Sequence, residues 1–188
     1  MALLAIMAAL ATAEPNASEL GFRAFETMCV ATGGDPATSI SAADKAGWAA
    51  IPEDARQRFG AGVDDPSTFQ ARISRTDGGF MVLGVDRSSR NIRGDVLVAN
   101  HCQLSFTPGD YAVVVSLAKD WAAVPPVQGV PPTGTEFVFA DDHGHHTALT
   151  GTELESATGG VMTRRRITQL TVFNLSRGPS LRLDIPVR

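Results

Sequence analysis

The densest group of metal-binding side chains in the sequence is the run Asp141, Asp142, His143, Gly144, His145 and His146. Imidazole nitrogens and carboxylate oxygens bind Zn²⁺ and Cu²⁺, and His143 and His145 would share one face of an extended strand. A tetrahedral site needs more ligands, and the isolated His101 is the only remote candidate. Aspartate and glycine are also typical of a solvated hairpin turn. We therefore predict exposed histidines with no metal or other cofactor, and keep metal binding by this turn as an alternative.

A basic triplet, Arg164-Arg165-Arg166, lies inside residues 162–174, which are predicted to form the longest strand of the chain. Alternation along a strand would place Arg164 and Arg166 together on one face, where they could bind an anionic ligand or a lipid headgroup. Charged side chains on the solvated face or the edge of a sheet are a commoner reason for such a pattern. The sequence favours this second explanation and leaves Arg164 and Arg166 as candidates for anion binding.

His101 and Cys102 are adjacent and could be interpreted as a base beside a thiol nucleophile. Neighbouring residues of a strand point to opposite faces, however, so their side chains diverge. The chain contains no GxSxG, HExxH or CxxC motif. The sequence therefore assigns no catalytic residue and favours a protein that is not an enzyme.

The N-terminal segment Met1–Ala13 is uncharged and apolar, and it ends in the small-x-small pattern Ala11-Thr12-Ala13 before Glu14 and Pro15. This arrangement is typical of a secretory signal peptide. The segment is too short to span a bilayer, which takes about 20 residues. We predict cleavage after Ala13, a single domain over 14–188 and a periplasmic or secreted location. The net charge of −4 argues against nucleic acid as a partner, and no integral membrane segment is expected in the mature chain.

Two cysteines, Cys29 and Cys102, are present. Helical spacing places Cys29 on an apolar stripe with Phe22 and Phe25, and strand parity places Cys102 on the same face as Leu104. In an exported chain an even cysteine count predicts a disulfide, with Cα atoms within about 7 Å of each other. The alternative is two buried free thiols, or one reactive thiol.

The elements that must position these residues follow from periodicity, capping residues and turns. Helices are predicted at 19–32 (capped by Ser18), 36–46, 52–59 and after Thr107, where an apolar stripe runs from Tyr111 to Trp121. Strands are predicted at 69–74, 80–85, 96–106, 136–140, 145–149, 162–174 and 181–187, and 86–95 is predicted to be a polar loop. Adjacent hairpins indicate an α+β fold with a mainly antiparallel sheet of about five to seven strands. The N-terminal helices and one long central helix should pack on one face.

Several of these features stand at spacings that resemble a group of small, uncharacterised exported proteins of alphaproteobacteria. They are Phe25-x-x-x-Cys29, Ala46-Gly47-Trp48, Thr76-Asp77-Gly78-Gly79 and a later Cys102 before a tryptophan-containing helix. The resemblance implies export and an α+β domain, and it implies no activity or ligand.

The function expected from the sequence is that of a periplasmic or secreted protein without enzymatic activity, serving as a structural, stress-related or ligand-binding domain. Two alternatives stay open. One is a metal-binding or metal-dependent protein that uses the turn Asp141–His146, and the other is an enzyme whose site is assembled from dispersed residues.

Overall fold

The computed structural model describes residues 16–59, 68–76, 78–127 and 134–187. The predicted signal peptide, 1–13, and its cleavage point lie outside these residues. The helices are α1 (Ala17–Phe25), which continues as a π-helical turn (Glu26–Val30), α2 (Pro36–Lys45), α3 (Glu53–Phe59), α4 (Tyr111–Ala122), α5 (Gly151–Ser156) and α6 (Gly159–Arg165). The strands are β1 (Ala49–Ala50), β2 (Gln70–Thr76), β3 (Gly79–Ile92), β4 (Asp95–Thr107), β5 (Gly134–Asp142), β6 (His145–Ala148), β7 (Ile167–Leu175) and β8 (Gly178–Pro186).

All eight described strands form one antiparallel sheet, in the order β1-β2-β3-β4-β8-β7-β5-β6. The predicted α+β class is confirmed, but the predicted count of five to seven strands is too low. The additional strand is β1, whose two residues are too few to show any alternation.

The stretch 86–95 is the largest error in the predicted connections. It continues β3 and begins β4, which meet at a two-residue turn where Arg93 and Gly94 have positive φ angles of 53° and 90°. The side chains here are polar on both faces of the strand, and they find polar partners. Arg87, for example, donates from Nε to Asn100 Oδ1 at 2.8 Å. A strand of this kind shows no alternation of hydropathy and therefore resembles a loop.

The sheet has two unlike faces. Helices α1, α2 and α4 cover the helix face, where Leu83, Leu104, Leu181 and Leu183 are buried in the main apolar core. The intervening residues point to the opposite side, called the open face from here on. At one end of the open face α5 and α6 cover a second, smaller apolar cluster around Ile167.

No single long central helix is present among the described residues, and that prediction is wrong. The helix α4 has 12 residues, while α1 and its π-helical turn together run further, from Ala17 to Val30. Asp110, rather than Thr107, caps α4, since its side chain accepts hydrogen bonds from the backbone of Ala112 and Val113. The cap of α1 also differs from the prediction. Asn16 accepts from Glu19 N, and Ser18 Oγ instead accepts from Asp110 N at 2.8 Å.

Cys29 and Cys102 lie at disulfide distance, as predicted, with Cα atoms 5.5 Å apart. Both side chains are fully buried, and the bridge ties the π-helical turn to the centre of β4. The pair is compatible with an oxidising compartment. Within the described ranges, no helix combines the length and apolar character needed to cross a membrane.

The two outermost strands are the shortest of the sheet: β1 has 2 residues and β6 has 4. Among the described residues, they leave much of β2 and β5 without a strand partner on the outer side. On β5, loop backbone supplies part of the missing pairing. Val127 N donates to Glu136 O at 2.8 Å, and Leu149 N donates to Val138 O at 3.3 Å.

Candidate functional site on the open face of the sheet

The centre of the open face carries a group of polar side chains from three neighbouring strands. His101 lies on β4, Ser88 on β3, and Arg182 and Asp184 on β8, so each comes from a paired strand in the middle of the sheet. Side chains on such strands are positioned more rigidly than side chains on loops. His101 and Ser88 are only 7% and 9% exposed, although they lie on the side away from the main core.

His101 uses both ring nitrogens. Its Nδ1 forms a short hydrogen bond with Asp184 Oδ1, and its Nε2 lies 2.6 Å from Ser88 Oγ. Because a carboxylate can only accept, Nδ1 carries the proton. In the neutral ring Nε2 is then the unprotonated nitrogen, and it accepts a hydrogen bond from the Ser88 hydroxyl.

Asp184 is charged at neutral pH. Burial on its own would raise the pKa of Asp184, but the hydrogen bond with His101 and the positive charge of Arg182 together lower it below the ordinary value of 3.8. Arg182 Nε donates to Asp184 Oδ1 at 2.8 Å, and its Nη2 lies 3.0 Å from His101 Nδ1. The guanidinium therefore fixes the carboxylate in the orientation that meets the imidazole.

Glu136 on β5 adds a second carboxylate to the open face. Burial raises the pKa of Glu136 above its ordinary value of 4.5, and the nearby charge of Asp184 raises it further. The pKa values of the two carboxylates therefore shift in opposite directions. Asp184 is stabilised as an anion, while Glu136 is more easily protonated. Opposite shifts within one small region are commonest at functional sites.

Two pockets meet at His101. The first, called the Phe69 pocket, combines apolar walls with hydrogen-bonding groups; it is lined by Phe69, Val82, Gly84, Asp86, His101, Gln103, Ser105 and Arg182. The second, called the Met162 pocket, is larger and more apolar; it is lined by Ser88, Arg90, Ile92, Leu97, Ala99, His101, Met162, Ile167, Gln169, Asp184 and Pro186. The polar network thus lies between two concave surfaces. Small-molecule sites are usually concave.

The histidine run predicted as a possible metal site is a tight hairpin turn. His143 and Gly144 have φ angles of 51° and 88° between β5 and β6, and Gly144 N donates to Asp141 Oδ1 at 2.8 Å. His143 therefore stands in a left-handed turn position, so the strand parity that would pair it with His145 does not apply. Across the described residues, no three side chains of histidine, cysteine, aspartate or glutamate are grouped to hold a metal ion.

His143 and His145 are exposed, but the expectation of an exposed His146 is wrong. Its ring is half-buried, with its centroid 4.2 Å from that of Phe139 and 5.0 Å from that of Trp121. His146 Nδ1 also lies 3.0 Å from Ala122 O, at the end of α4. The ring therefore serves as a packing contact between the hairpin β5–β6 and α4.

The arginine triplet does not lie in a strand, which corrects the prediction for 162–174. Arg164 and Arg165 end α6, and Arg166 follows in a left-handed conformation with a φ of 49°. The helix forms because Thr158 caps it, accepting from Val161 N at 3.3 Å. Arg164 and Arg166 therefore do not share a strand face. Arg166 instead lies 3.6 Å from the Asp141 carboxylate. Anion binding by Arg164 and Arg166 stays a prediction, but the shared strand face on which it was based is not present.

Sequence reasoning named His101 but missed Ser88, Arg182 and Asp184. The signal was present in part. Arg182 and Asp184 alternate with the apolar residues of β8, just as His101 and Gln103 alternate with those of β4. When every second residue is polar in each of two strands, the two strands together indicate a polar face of the sheet. Ser88 gave no such signal, since it stands in the stretch interpreted as a loop.

Comparisons of the chain with protein families, with curated proteins and with solved structures found no match.

Proposed function

We propose that this chain is an exported ligand-binding domain whose open face binds a small, partly apolar molecule that carries a carboxylate. The observation that carries the proposal is the partly buried network of His101, Asp184 and Arg182 at the junction of two pockets. Helices cover much of the opposite face, whereas both of these pockets lie on the open face, against the network.

The chemistry of the Phe69 pocket suggests the carboxylate. Arg182 Nε donates to Asp184 Oδ1, and within the described part of the chain no hydrogen bond from Nη1 is seen, so Nη1 can donate to a ligand. An arginine already fixed by a carboxylate loses little side-chain entropy on binding a second acceptor. Phe69 and Val82 supply apolar walls beside it, which favours a carboxylate with a short hydrocarbon body.

Calorimetric titration with acetate and butyrate tests this binding. We expect one-to-one binding by the oxidised protein, and binding at least about tenfold weaker after Arg182→Gln, because a charge-assisted hydrogen bond contributes about 1.5–3 kcal/mol. Arg177→Gln is the matched control. Arg177 is exposed in the turn between β7 and β8, so this variant should bind as the wild type does.

A second variant separates ligand binding from the stability of the network. Ser105→Thr places an extra methyl group in the Phe69 pocket, keeps the hydroxyl that donates to Ser180 Oγ, and leaves Arg182 and Asp184 intact. It should weaken binding of both carboxylates with little change in melting temperature. Equal binding by the wild type, Arg182→Gln and Ser105→Thr would contradict the proposal.

Export is proposed from the apolar segment Met1–Ala13 and is supported by the disulfide-distance pair Cys29 and Cys102. Expression in a Gram-negative host, followed by intact-mass measurement on the periplasmic fraction, is the test. We expect a mature chain that begins at Glu14 and lacks two hydrogens relative to the reduced mass. Protein recovered from the periplasm with Met1 retained would show that the segment is not cleaved.

A further inference from the structure

Ser88, His101 and Asp184 are connected in the order nucleophile, base and carboxylate. Ser88 Oγ lies 2.6 Å from His101 Nε2, and His101 Nδ1 is hydrogen-bonded to Asp184 Oδ1. This is the connectivity by which a histidine activates a serine hydroxyl while a carboxylate fixes the tautomer of the ring. The three residues come from the adjacent strands β3, β4 and β8, so no loop movement is needed to assemble them.

The Met162 pocket lies against this chain of hydrogen bonds, since Ser88, His101 and Asp184 all line it. Its volume is about 130 Å³, and Leu97 and Met162 contribute apolar wall. A cavity of about this size takes a small apolar group such as benzene. Gln169 lines the same pocket, and its side-chain amide is a donor of the kind that stabilises an oxyanion.

We propose that Ser88, His101 and Asp184 form a hydrolytic site for esters of short carboxylic acids, with the acyl group in the Met162 pocket. Ser88 Oγ bonds to the ester carbonyl carbon while its proton moves to His101 Nε2. The bond from carbonyl carbon to alcohol oxygen then breaks, and the alcohol leaves with the proton from Nε2.

Water completes the reaction. It gives a proton to His101 Nε2 and attacks the acyl carbon; the bond to Ser88 Oγ breaks, and Ser88 recovers the proton as the carboxylic acid leaves. Asp184 accepts the hydrogen bond from Nδ1 throughout and thereby stabilises the imidazolium. Arg182 is a positioning residue, because it contacts the carboxylate of Asp184. This activity goes beyond carboxylate binding at the Phe69 pocket and does not depend on it.

The direct test uses the oxidised full mature chain with p-nitrophenyl acetate, butyrate and octanoate. We expect saturable hydrolysis of the acetate and butyrate esters, with the octanoate ester slower because its chain exceeds the pocket. Ser88→Ala should lower the rate at least about a hundredfold, the usual scale for losing a catalytic nucleophile or base. Ala99→Leu, which fills the pocket, should lower butyrate hydrolysis more than acetate hydrolysis.

The neighbouring residue provides the control. Ser89 is exposed, lies next to Ser88 and points to the opposite side of β3, so Ser89→Ala should hydrolyse the esters at the wild-type rate. A reaction with an alkyl fluorophosphonate needs no variant: peptide mass spectrometry should find the adduct on Ser88. Hydrolysis that survives Ser88→Ala, or the absence of both an adduct on Ser88 and ester turnover, would overturn the proposal.

Discussion

Replacing both cysteines with alanine should lower the free energy of unfolding by about 4 kcal/mol. Cys29 and Cys102 are separated by 73 residues, so the bridge removes a large loop-closure entropy from the unfolded chain. Both sulfur atoms are buried, and their loss also removes packing beside Phe25 and Leu104 in the main core. For a domain of ordinary stability this is a large share of the total.

Urea denaturation of the oxidised wild type and of the double variant Cys29→Ala, Cys102→Ala measures the effect. The dependence of the unfolding free energy on urea should also steepen in the variant, because an unfolded chain without the bridge exposes more surface. Reduction is a poorer test, since a buried disulfide is reached only after unfolding. A loss below about 1 kcal/mol would show that the bridge adds little to stability.

Asp184→Asn should lower the free energy of unfolding at neutral pH by about 2–3 kcal/mol, the scale of a partly buried ion pair that loses one member. The substitution keeps the shape of the side chain but removes the charge that meets both Arg182 and His101. Asp44→Asn is the matched control. Asp44 also accepts two hydrogen bonds from an arginine, Arg72, but its side chain is 51% exposed, so its loss should matter far less.

The effect of Asp184→Asn should depend on pH in a defined direction. The pKa of Asp184 is lowered in the folded state, so its contribution to stability is present above the unfolded pKa, near the ordinary value of 3.8. The contribution is lost as the pH falls through the lowered folded-state pKa. The stability difference between wild type and variant should therefore shrink as the pH falls below about 4. A difference that grows below that pH would contradict this assignment.

Much of the fold could be predicted because half-buried elements carry periodic patterns. The alternation in β8, and the parity of Cys102 with Leu104 in β4, correctly separated the two faces of the sheet. The start of α2 was equally clear, since Asp35 caps it and Pro36 occupies its first position. Each of these signals is local, and each reflects one side of the chain meeting the core.

Errors arose where polar side chains obtained tertiary partners. The ends of β3 and β4 are polar on both sides and were interpreted as a loop, although Arg87 reaches both Asn100 and Asp35. Residues 162–165 are predicted to begin a strand, yet they end α6, whose Gly159 lies against Asp95 so closely that a Cβ would come within 2.9 Å of it. Such contacts join distant parts of the chain and produce no periodic pattern of apolar residues in the sequence.

The candidate site was largely hidden for the same reason. His101 meets Asp184 only because β8 inserts beside β4 in the sheet, across a sequence separation of 83 residues. Nothing in the order of the elements shows that β8, the last of the described strands, pairs with β4, the fourth. Long-range strand pairing therefore decides which polar residues meet, and it cannot be inferred from one sequence.

The short outermost strands bear on self-association. An exposed sheet edge offers unpaired backbone groups that a second molecule can extend by strand pairing, and long flat edges promote fibre formation. Here β1 and β6 provide only 2 and 4 residues, and loop residues already occupy the outward carbonyls of Glu136 and Val138 on β5. An approaching chain therefore finds few consecutive free positions on this side of the sheet. The architecture disfavours edge-to-edge polymerisation along β5 and β6 even when the protein is concentrated.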